Sequence, residues 1–462
     1  MDKRRRIEGK GGGRGVEENT MALLDTSGFS SSKIAHHLDD DRLAFLEAVR
    51  TASLLPDNGS APTPKMCEAI FRILKDVDSL DLIIESYQLL VELDKRFPRV
   101  YLSKDQNSSS PLKITSQVIL VEEAWLPFNL GLDSYREKGT GKNHLVDAAG
   151  FHAIIQEIAE MAKELKSEAK GTTFLKNMLL LQYLITVLER DFLPRIHNYH
   201  ESMNWNVLRE SLLSLLLGSR KVMYKGLTKD CLLIMCNMFQ SPEFSEETSA
   251  HESSTGELLH ETNRAVALAL PDAKKSTCTV LKKLFVMIME LDSSRKIADQ
   301  QGLTSRADGV RTPIAEIILD ELIYDNDILY SFLQVFDPKW KLDIIVQYFQ
   351  KYIPKACCLL SLCLRIYSSV QTRRSSDKIN IDNFDGILKC LSNSNRTRSI
   401  IKKMSSEVVQ LLLAYAFQAY VELSYHASEG LSNMAEHDKS NSVVEVCKNI
   451  VSAFTCLKQE DP

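Results

Sequence analysis

Histidines and cysteines are the residues of this chain whose chemistry best suits a metal site. His197 and His200 lie three residues apart, a spacing that places two imidazoles on one face of a helix. No HExxH motif surrounds them, however, and Pro194 favours a loop at this point. The ten cysteines form no CxxC pair of the kind that binds zinc. We therefore expect no metal ion and no cofactor, and we expect reduced thiols that pack in the core.

The familiar catalytic motifs are also missing from the sequence. It contains no GxSxG nucleophile motif, no phosphate-binding P-loop, no GxGxxG fingerprint and no protein-kinase signature. The glycine-rich stretch GKGGGRG at 9–15 does not end in the Lys-Ser or Lys-Thr pair that a phosphate cradle needs. We predict that the protein is not an enzyme and that it has no catalytic residues.

Four consecutive basic residues near the N-terminus form the first candidate contact site. Lys3, Arg4, Arg5 and Arg6 stand in a Gly- and Ser-rich tail with few apolar residues. A short basic run in such a tail can act as a nuclear import signal, and a solvated run of charge is the alternative. We expect a nuclear location.

The second candidate is a polar cluster that precedes a predicted helix. Arg306, Asp308 and Arg311 lie around an Asp-Gly turn, just before a Thr-Pro pair that starts the helix. The cluster is either a partner-binding site or a well-formed loop.

The third candidate is the basic segment 373–403. It holds eight Lys or Arg residues and three Asp residues, so its formal charge is +5. Arg396, Arg398, Lys402 and Lys403 are candidates for nonspecific contacts with DNA phosphates or for contacts with an acidic protein, and a solvated surface is the alternative. A patch of this size would bind DNA nonspecifically and with a steep dependence on salt, and we expect direct DNA binding to be weak or absent.

The elements that would position these residues are helices. The chain has 462 residues, of which 44% are hydrophobic and 25% are charged, as in an ordinary globular protein. Apolar residues recur at helical spacing through most of it, and strand signals are weak. This pattern predicts an all-α fold, specifically an armadillo/HEAT-like α-solenoid of divergent helical repeats. A globular all-α protein is the alternative, because no clean period of about 40–47 residues is found.

The predicted organisation is one long helical domain behind a tail. Residues 1–40 are expected to be a disordered basic and Gly/Ser-rich tail, and residues 41–458 the helical-repeat domain. The domain is interrupted by a polar linker near 103–111 and an acidic loop near 241–262, which holds six Glu and no Lys or Arg. The predicted helices include those at about 112–124, 256–270, 275–292 and 313–336.

Charge and hydropathy argue against two classes of protein. The formal net charge of −5 and the pI of about 6.1 argue against a nucleic-acid binder that uses its whole surface. The longest uncharged apolar stretch, Val408 to Val421, is shorter than the about 20 residues that a membrane span needs. We therefore expect protein partners and no membrane.

Several long segments resemble one plant family. They include DRLAFLEAVRTASLLPDNG, EAIFRILK, MNWNVLRESLLSLLLGSRKV, FLQVFDPKWKLDIIVQYFQKYIPK and VSAFTCLK. The block VMIMELDSSRKIADQQGLTSRADGVRTPIAEIILDELIYD at Val286–Asp325 is the most distinctive, and the similarity runs from about Asp41 to Leu457. On these residues the chain is identified as a member of the family of negative regulators of systemic acquired resistance, also called suppressors of inducible immunity.

The resemblance implies a nuclear, helical, armadillo-like protein without enzymatic activity that represses defence-gene expression. It also implies a counterpart of the non-SMC element six subunit, which pairs with a non-SMC element five partner on the structural maintenance of chromosomes five/six complex. That complex would tie the chain to the DNA-damage response, DNA repair and homologous recombination. A dedicated transcriptional corepressor, recruited by DNA-bound transcription factors, is the alternative. The resemblance further implies that family members continue past the VSAFTCLK segment.

Overall fold

Helices dominate the part of the chain that the computed structural model describes, which is residues 35–55, 57–104, 116–130, 145–163, 171–239, 257–304, 312–352, 384–426 and 436–460. This confirms the predicted all-α class. One β-hairpin, formed by β1 (Val100–Lys104) and β2 (Ser116–Leu120), lies between α3 and α4. The helices are α1 (Ala35–Ser53), α2 (Pro64–Asp76), α3 (Leu80–Arg96), α4 (Ala148–Lys163), α5 (Gly171–Ser202), α6 (Trp205–Arg209), α7 (Leu212–Gly218), α8 (Tyr224–Phe239), α9 (Glu257–Gln300), α10 (Ile314–Leu322), α11 (Asn326–Val335), α12 (Pro338–Tyr352), α13 (Phe384–Leu391), α14 (Ser394–Ile401), α15 (Ser406–His426) and α16 (Glu436–Glu460).

The chain divides into two compact units, Met1–Val310 and Arg311–Pro462. In the first unit α2 packs on α3, α4 on α5, and α8 on α9. In the second unit α10 packs on α11 and α12, α13 on α14, and α15 on α16. Packing between helices that are close in sequence is consistent with the predicted solenoid. Within the described residues, no helix has both the length and the apolar character needed to cross a membrane.

Helix α5 is the centre of the first unit. It contacts α2, α3, α4, α6, α7, α9 and both strands of the hairpin, and it is buried on nearly all sides. It continues through Pro194 to Ser202, so the prediction of a loop at His197 and His200 was wrong. Pro194 removes one helical hydrogen bond, and the packing of α5 on its many neighbours offsets this loss.

The β-hairpin stands where a helix was predicted. Residues 116–120 form β2, which pairs antiparallel with β1, so the prediction of a helix at about 112–124 was wrong. The segment SQVILV is rich in β-branched residues, which suit a strand that packs on α5. From the sequence, strand signals were described as weak and this strand was not predicted. β1 takes in Ser103 and Lys104 of the predicted linker, and residues 105–111 lie outside the described residues.

Helix α9 is continuous although its sequence contains a proline. It runs unbroken through Pro271, whereas two helices were predicted, at about 256–270 and 275–292. Gln182 of α5 holds the turn that follows the proline, because its Nε2 donates a hydrogen bond to the carbonyl oxygen of Ala273 at 3.1 Å. This contact ties the segment after Pro271 to α5.

The predicted helix at 313–336 is divided instead. Asp325 interrupts it, because its Oδ1 accepts a hydrogen bond from the backbone N–H of Ile328 at 3.0 Å and caps a new helix. Two helices, α10 and α11, therefore occupy the segment.

Three predicted segments overlap with described helices. α1 begins at Ala35, so residues 35–40 of the predicted tail are helical. α9 takes in residues 257–262 of the predicted acidic loop, and α13 and α14 lie within the basic segment 373–403. The other residues of these three segments, apart from the turns next to α14, lie outside the described residues.

Candidate partner-binding site

Only one of the three candidate contact sites lies within the described residues. Lys3, Arg4, Arg5 and Arg6 lie outside the described residues, and so do Arg306, Asp308 and Arg311. These two sets stay predictions. The basic residues of the third set all lie on α14 or in the turn that follows it, within one short stretch of the chain: Arg396, Arg398, Lys402 and Lys403.

Helix α14 is held by one buried face. Asn393 caps its N-terminus, since its Oδ1 accepts a hydrogen bond from the N–H of Arg396 at 3.4 Å. Thr397 and Ile400 are buried, and the Thr397 hydroxyl donates to the carbonyl oxygen of Leu391 at 2.6 Å. Because these contacts fix the rotation of the helix, they also decide which residues point outward.

We use the name basic face for the four cations on α14 and in the turn that follows it, which are Arg396, Arg398, Lys402 and Lys403. Arg398, Lys402 and Lys403 are exposed, and Arg396 is half-buried with its Nη1 3.4 Å from Cys390 Sγ. Lys403 Nζ lies 5.8 Å from the centre of the Tyr352 ring, within the range of a cation–π contact. No acidic residue occurs between Ser394 and Met404.

The positions of these cations also allow a purely structural role. Lys402 is the C-cap residue of α14 and Lys403 follows it, where positive charge is favoured by the helix dipole. Within the described part of the chain, Lys402 forms no ion pair. Its charge therefore remains available to a partner.

A nearby lysine illustrates the contrast. Lys351 Nζ lies 2.6 Å from Asp320 Oδ2 and 3.8 Å from Glu316 Oε2. Burial would lower the pKa of Lys351, but the hydrogen bond to Asp320 and the surrounding negative charge raise the pKa overall. The charge of Lys351 is thus used within the second unit.

A second charged cluster, buried in the first unit, was missed in the sequence. The Asp191 side chain in α5 is only 3% exposed, and its Oδ2 accepts a hydrogen bond from the Leu212 N–H at the start of α7 at 2.8 Å. Arg195 Nε lies 3.3 Å from Oδ2, and Arg99 Nη1 lies 3.6 Å from Oδ1. Burial raises the pKa of Asp191, while the two arginines and the Leu212 N–H oppose this shift. Asp191 thereby joins α5, α7 and the entry to β1.

A small cavity adjoins this cluster. Its volume is about 90 Å³, and its lining combines apolar residues with the side chains of Cys67, Asp94, Arg99, Tyr183, Arg190 and Asp191. Asp94 is already paired, since Arg190 Nη1 lies 2.7 Å from its Oδ2. Burial raises the pKa of Cys67 to about 12, which keeps the thiol protonated and a poor nucleophile at neutral pH. The cavity is smaller than the about 300 Å³ of an ordinary small-molecule pocket.

Gln182, also on α5, forms a fully satisfied polar junction with two other helices. Its Nε2 donates to the carbonyl oxygen of Ala273 at 3.1 Å and to Thr277 Oγ1 at 2.9 Å. Its Oε1 accepts from the Tyr87 hydroxyl at 3.1 Å and from Ser276 Oγ at 3.0 Å. All four hydrogen-bonding positions of the amide are used, and they connect α3, α5 and α9. In the sequence, the position of Gln182 within the apolar run LLLQYLI could have indicated a buried polar residue.

The sequence matches two domains of one family. Residues 99–338 match the SNI1 middle domain, and residues 366–462 match the SNI1 C-terminal domain. Over 454 residues the chain is 42% identical to the negative regulator of systemic acquired resistance SNI1 of Arabidopsis thaliana, which covers 98% of this chain and 91% of that relative. The chain belongs to the SNI1 family.

Membership of the SNI1 family confirms the resemblance found in the sequence. It gives a coarse function, which is negative regulation of systemic acquired resistance in plants. The basic face of α14 lies within the match to the SNI1 C-terminal domain, and Gln182 and Asp191 lie within the match to the SNI1 middle domain. No solved structure matches the chain.

Proposed function

We propose that this SNI1-family chain is a non-enzymatic nuclear scaffold subunit of the structural maintenance of chromosomes five/six complex. Its chief partner is the non-SMC element five counterpart. In this role it acts in DNA repair and homologous recombination, and it represses systemic acquired resistance and defence-gene expression. The similarity to SNI1 over 98% of the chain supports the regulatory part of the proposal. The basic face of α14 is the observation that carries the partner-binding part.

The basic face suits an acidic protein surface better than DNA. Its cations lie within about two helical turns, so they reach few phosphates, and the affinity for DNA grows with the number of phosphates neutralised. The formal net charge of −5 on the whole chain also opposes long-range attraction to DNA. An acidic protein partner needs only a local patch of complementary charge.

The buried clusters favour a scaffold over an enzyme. Asp94 and Asp191 are each paired with arginine, and the Cys67 thiol stays protonated at neutral pH. Groups paired in this way connect helices and are poor candidates for general bases or nucleophiles. Their role is to hold the first unit together.

A direct test of the scaffold role is the mass of the purified complex. The full chain is mixed with the plant non-SMC element five counterpart, and the mixture is measured by size exclusion with light scattering. We expect a stable one-to-one heterodimer. Two separate peaks across the accessible concentrations would contradict the proposal.

Native complexes distinguish the scaffold from the dedicated corepressor. We expect purification of the tagged chain from plant nuclei to yield subunits of the structural maintenance of chromosomes five/six complex. Promoter-bound transcription factors without those subunits would favour the corepressor instead.

The nuclear location has a separate test. Lys3, Arg4, Arg5 and Arg6 are the proposed import signal, so replacing all four with Ala should move a fluorescent fusion of the full chain out of the nucleus. Unchanged nuclear fluorescence would remove this signal from the proposal.

A further inference from the structure

The β-hairpin of the first unit has a strand edge, on β2, that forms no backbone hydrogen bond with any described residue. In an antiparallel pair, alternate residues direct their N–H and C=O groups either toward the other strand or away from it. The N–H of Val121 donates to the carbonyl oxygen of Arg99 at 2.9 Å, and Tyr101 pairs with Ile119 in the same register. The backbone groups of Val118 and Leu120 therefore point outward from β2. No described residue forms a hydrogen bond with these outward groups.

Two apolar side chains at the C-terminal end of this edge are accessible. Leu120 is 41% exposed and Val121 is 37% exposed, while Tyr101 on the facing strand is 42% exposed. Proteins commonly protect an edge strand with lysine, proline or a bulge, because an open edge pairs with other chains. The segment Gln117–Val121 contains no charged residue and no proline. The β2 edge thus lacks the usual protection.

We propose that the β2 edge binds an extended segment of a partner protein, which adds a third, antiparallel strand to the hairpin. This mode of recognition takes its affinity from backbone hydrogen bonds and its specificity from alternate side chains. Val118 and Leu120 supply the backbone groups, and Leu120 and Val121 supply apolar contacts. This surface is separate from the basic face of α14, and the inference does not rest on the proposed function.

Charge specifies one end of the partner strand. Glu122 and Glu123 lie in the turn just after β2, which is closed by a hydrogen bond from the Ala124 N–H to the Val121 carbonyl oxygen at 3.2 Å. Both are exposed, and neither forms an ion pair with a described residue. The N-terminus of an antiparallel partner strand would lie beside them. The partner segment therefore begins with lysine or arginine and continues with alternating β-branched residues.

A second copy of this chain is a poorer occupant. Two copies of β2 would bring five residues each to the contact, whereas a stable interface uses about 20–30 residues on each side. A different protein can add further contacts beyond its strand. The occupant is therefore a partner protein, and self-association becomes an outcome that the experiment must separate.

Proline substitution tests the edge selectively. Val118→Pro removes an outward N–H and places the ring in the path of an added strand, but it leaves the ladder between β1 and β2 intact. The probe is the fluorescein-labelled peptide Lys-Lys-Thr-Val-Thr-Val-Thr, and binding to the full chain is measured by anisotropy. We expect the full chain to bind it and Val118→Pro to bind about tenfold more weakly or worse.

Two further variants keep the test decisive if the proline variant misfolds. Leu120→Lys adds the missing edge protection and should also weaken binding of the probe. Glu122→Lys combined with Glu123→Lys should reverse the charge preference, so that the peptide Glu-Glu-Thr-Val-Thr-Val-Thr binds better than the lysine version. Hydrogen–deuterium exchange should show that the probe protects the amides of Val118 and Leu120.

Four results would overturn the inference. One is no binding of the probe to the full chain at about millimolar concentration, where even weak strand addition is detectable. Another is equal binding to Val118→Pro. The others are protection of the outward amides in the free monomer, which would mean that the chain covers its own edge, and a dimer that Val118→Pro dissociates.

Discussion

Helices α5 and α14 both carry charged residues but use them differently. In α5, Asp191 and Arg195 are buried and paired with each other, and Arg99 joins them from the entry to β1. At the C-terminal end of α14, Lys402 and Lys403 are exposed, and no acidic residue occurs between Ser394 and Met404. Paired buried charges fix how helices meet, whereas exposed charges of one sign are available to another molecule. The comparison predicts that mutations in α5 reduce stability and that mutations on the basic face reduce binding.

The largest expected effect is at Asp191. Asp191→Ala leaves Arg195 buried without its acid and removes the acceptor for the Leu212 N–H, so the free energy of unfolding should fall by about 3–5 kcal/mol. Chemical denaturation followed by circular dichroism measures the change. As a control, Asp191→Ala combined with Arg195→Leu should recover part of the loss. A loss below about 1 kcal/mol for Asp191→Ala would contradict the view that the charges of α5 serve stability while those of the basic face serve binding.

The next effect is at the Gln182 junction. Gln182→Met keeps the size of the side chain but removes four hydrogen bonds from this junction, so we expect a loss of about 2 kcal/mol in the free energy of unfolding. Gln88→Met on the exposed side of α3 is the matched control and should change stability by less than about 0.5 kcal/mol. Equal losses at the two positions would show that the hydrogen bonds of Gln182 do not contribute to the stability of the protein.

A smaller effect is expected where α14 is attached. Thr397→Val removes the hydrogen bond to the Leu391 carbonyl oxygen and should cost about 1 kcal/mol. Thr455→Val is the matched control, because the Thr455 hydroxyl donates to the Val451 carbonyl oxygen at 2.8 Å on an exposed surface of α16. Thermal unfolding compares the two variants, and a larger loss at Thr455 would contradict the assignment of Thr397 as an anchor.

The smallest effect on stability is expected on the basic face. Lys402→Glu combined with Lys403→Glu loses a favourable interaction with the end of α14 and should cost less than about 1 kcal/mol. Lys225→Glu combined with Lys275→Glu makes the same change of charge on exposed lysines of the first unit. If the α14 variant instead unfolds readily while this control does not, the lysines serve the fold and not a partner.

The sequence predicted the helical class because long amphipathic helices repeat their apolar residues at a fixed spacing. It did not predict the hairpin, since QVILV is apolar enough for either a helix or a strand and only pairing with β1 and packing on α5 decide between them. It also missed α14, which is short and rich in polar residues. The basic charges of that segment were found from composition, but which of them are exposed depends on the burial of Thr397 and Ile400.

The central claim is that the basic face of α14 contacts the acidic surface of a protein partner. Its most direct test is calorimetric titration of the non-SMC element five counterpart with the full chain, with the Lys402→Glu and Lys403→Glu variant, and with the Lys225→Glu and Lys275→Glu control. We predict that the α14 variant binds about tenfold more weakly or worse and that the control stays within about twofold of the unmodified chain. Equal affinities for all three proteins would contradict the account.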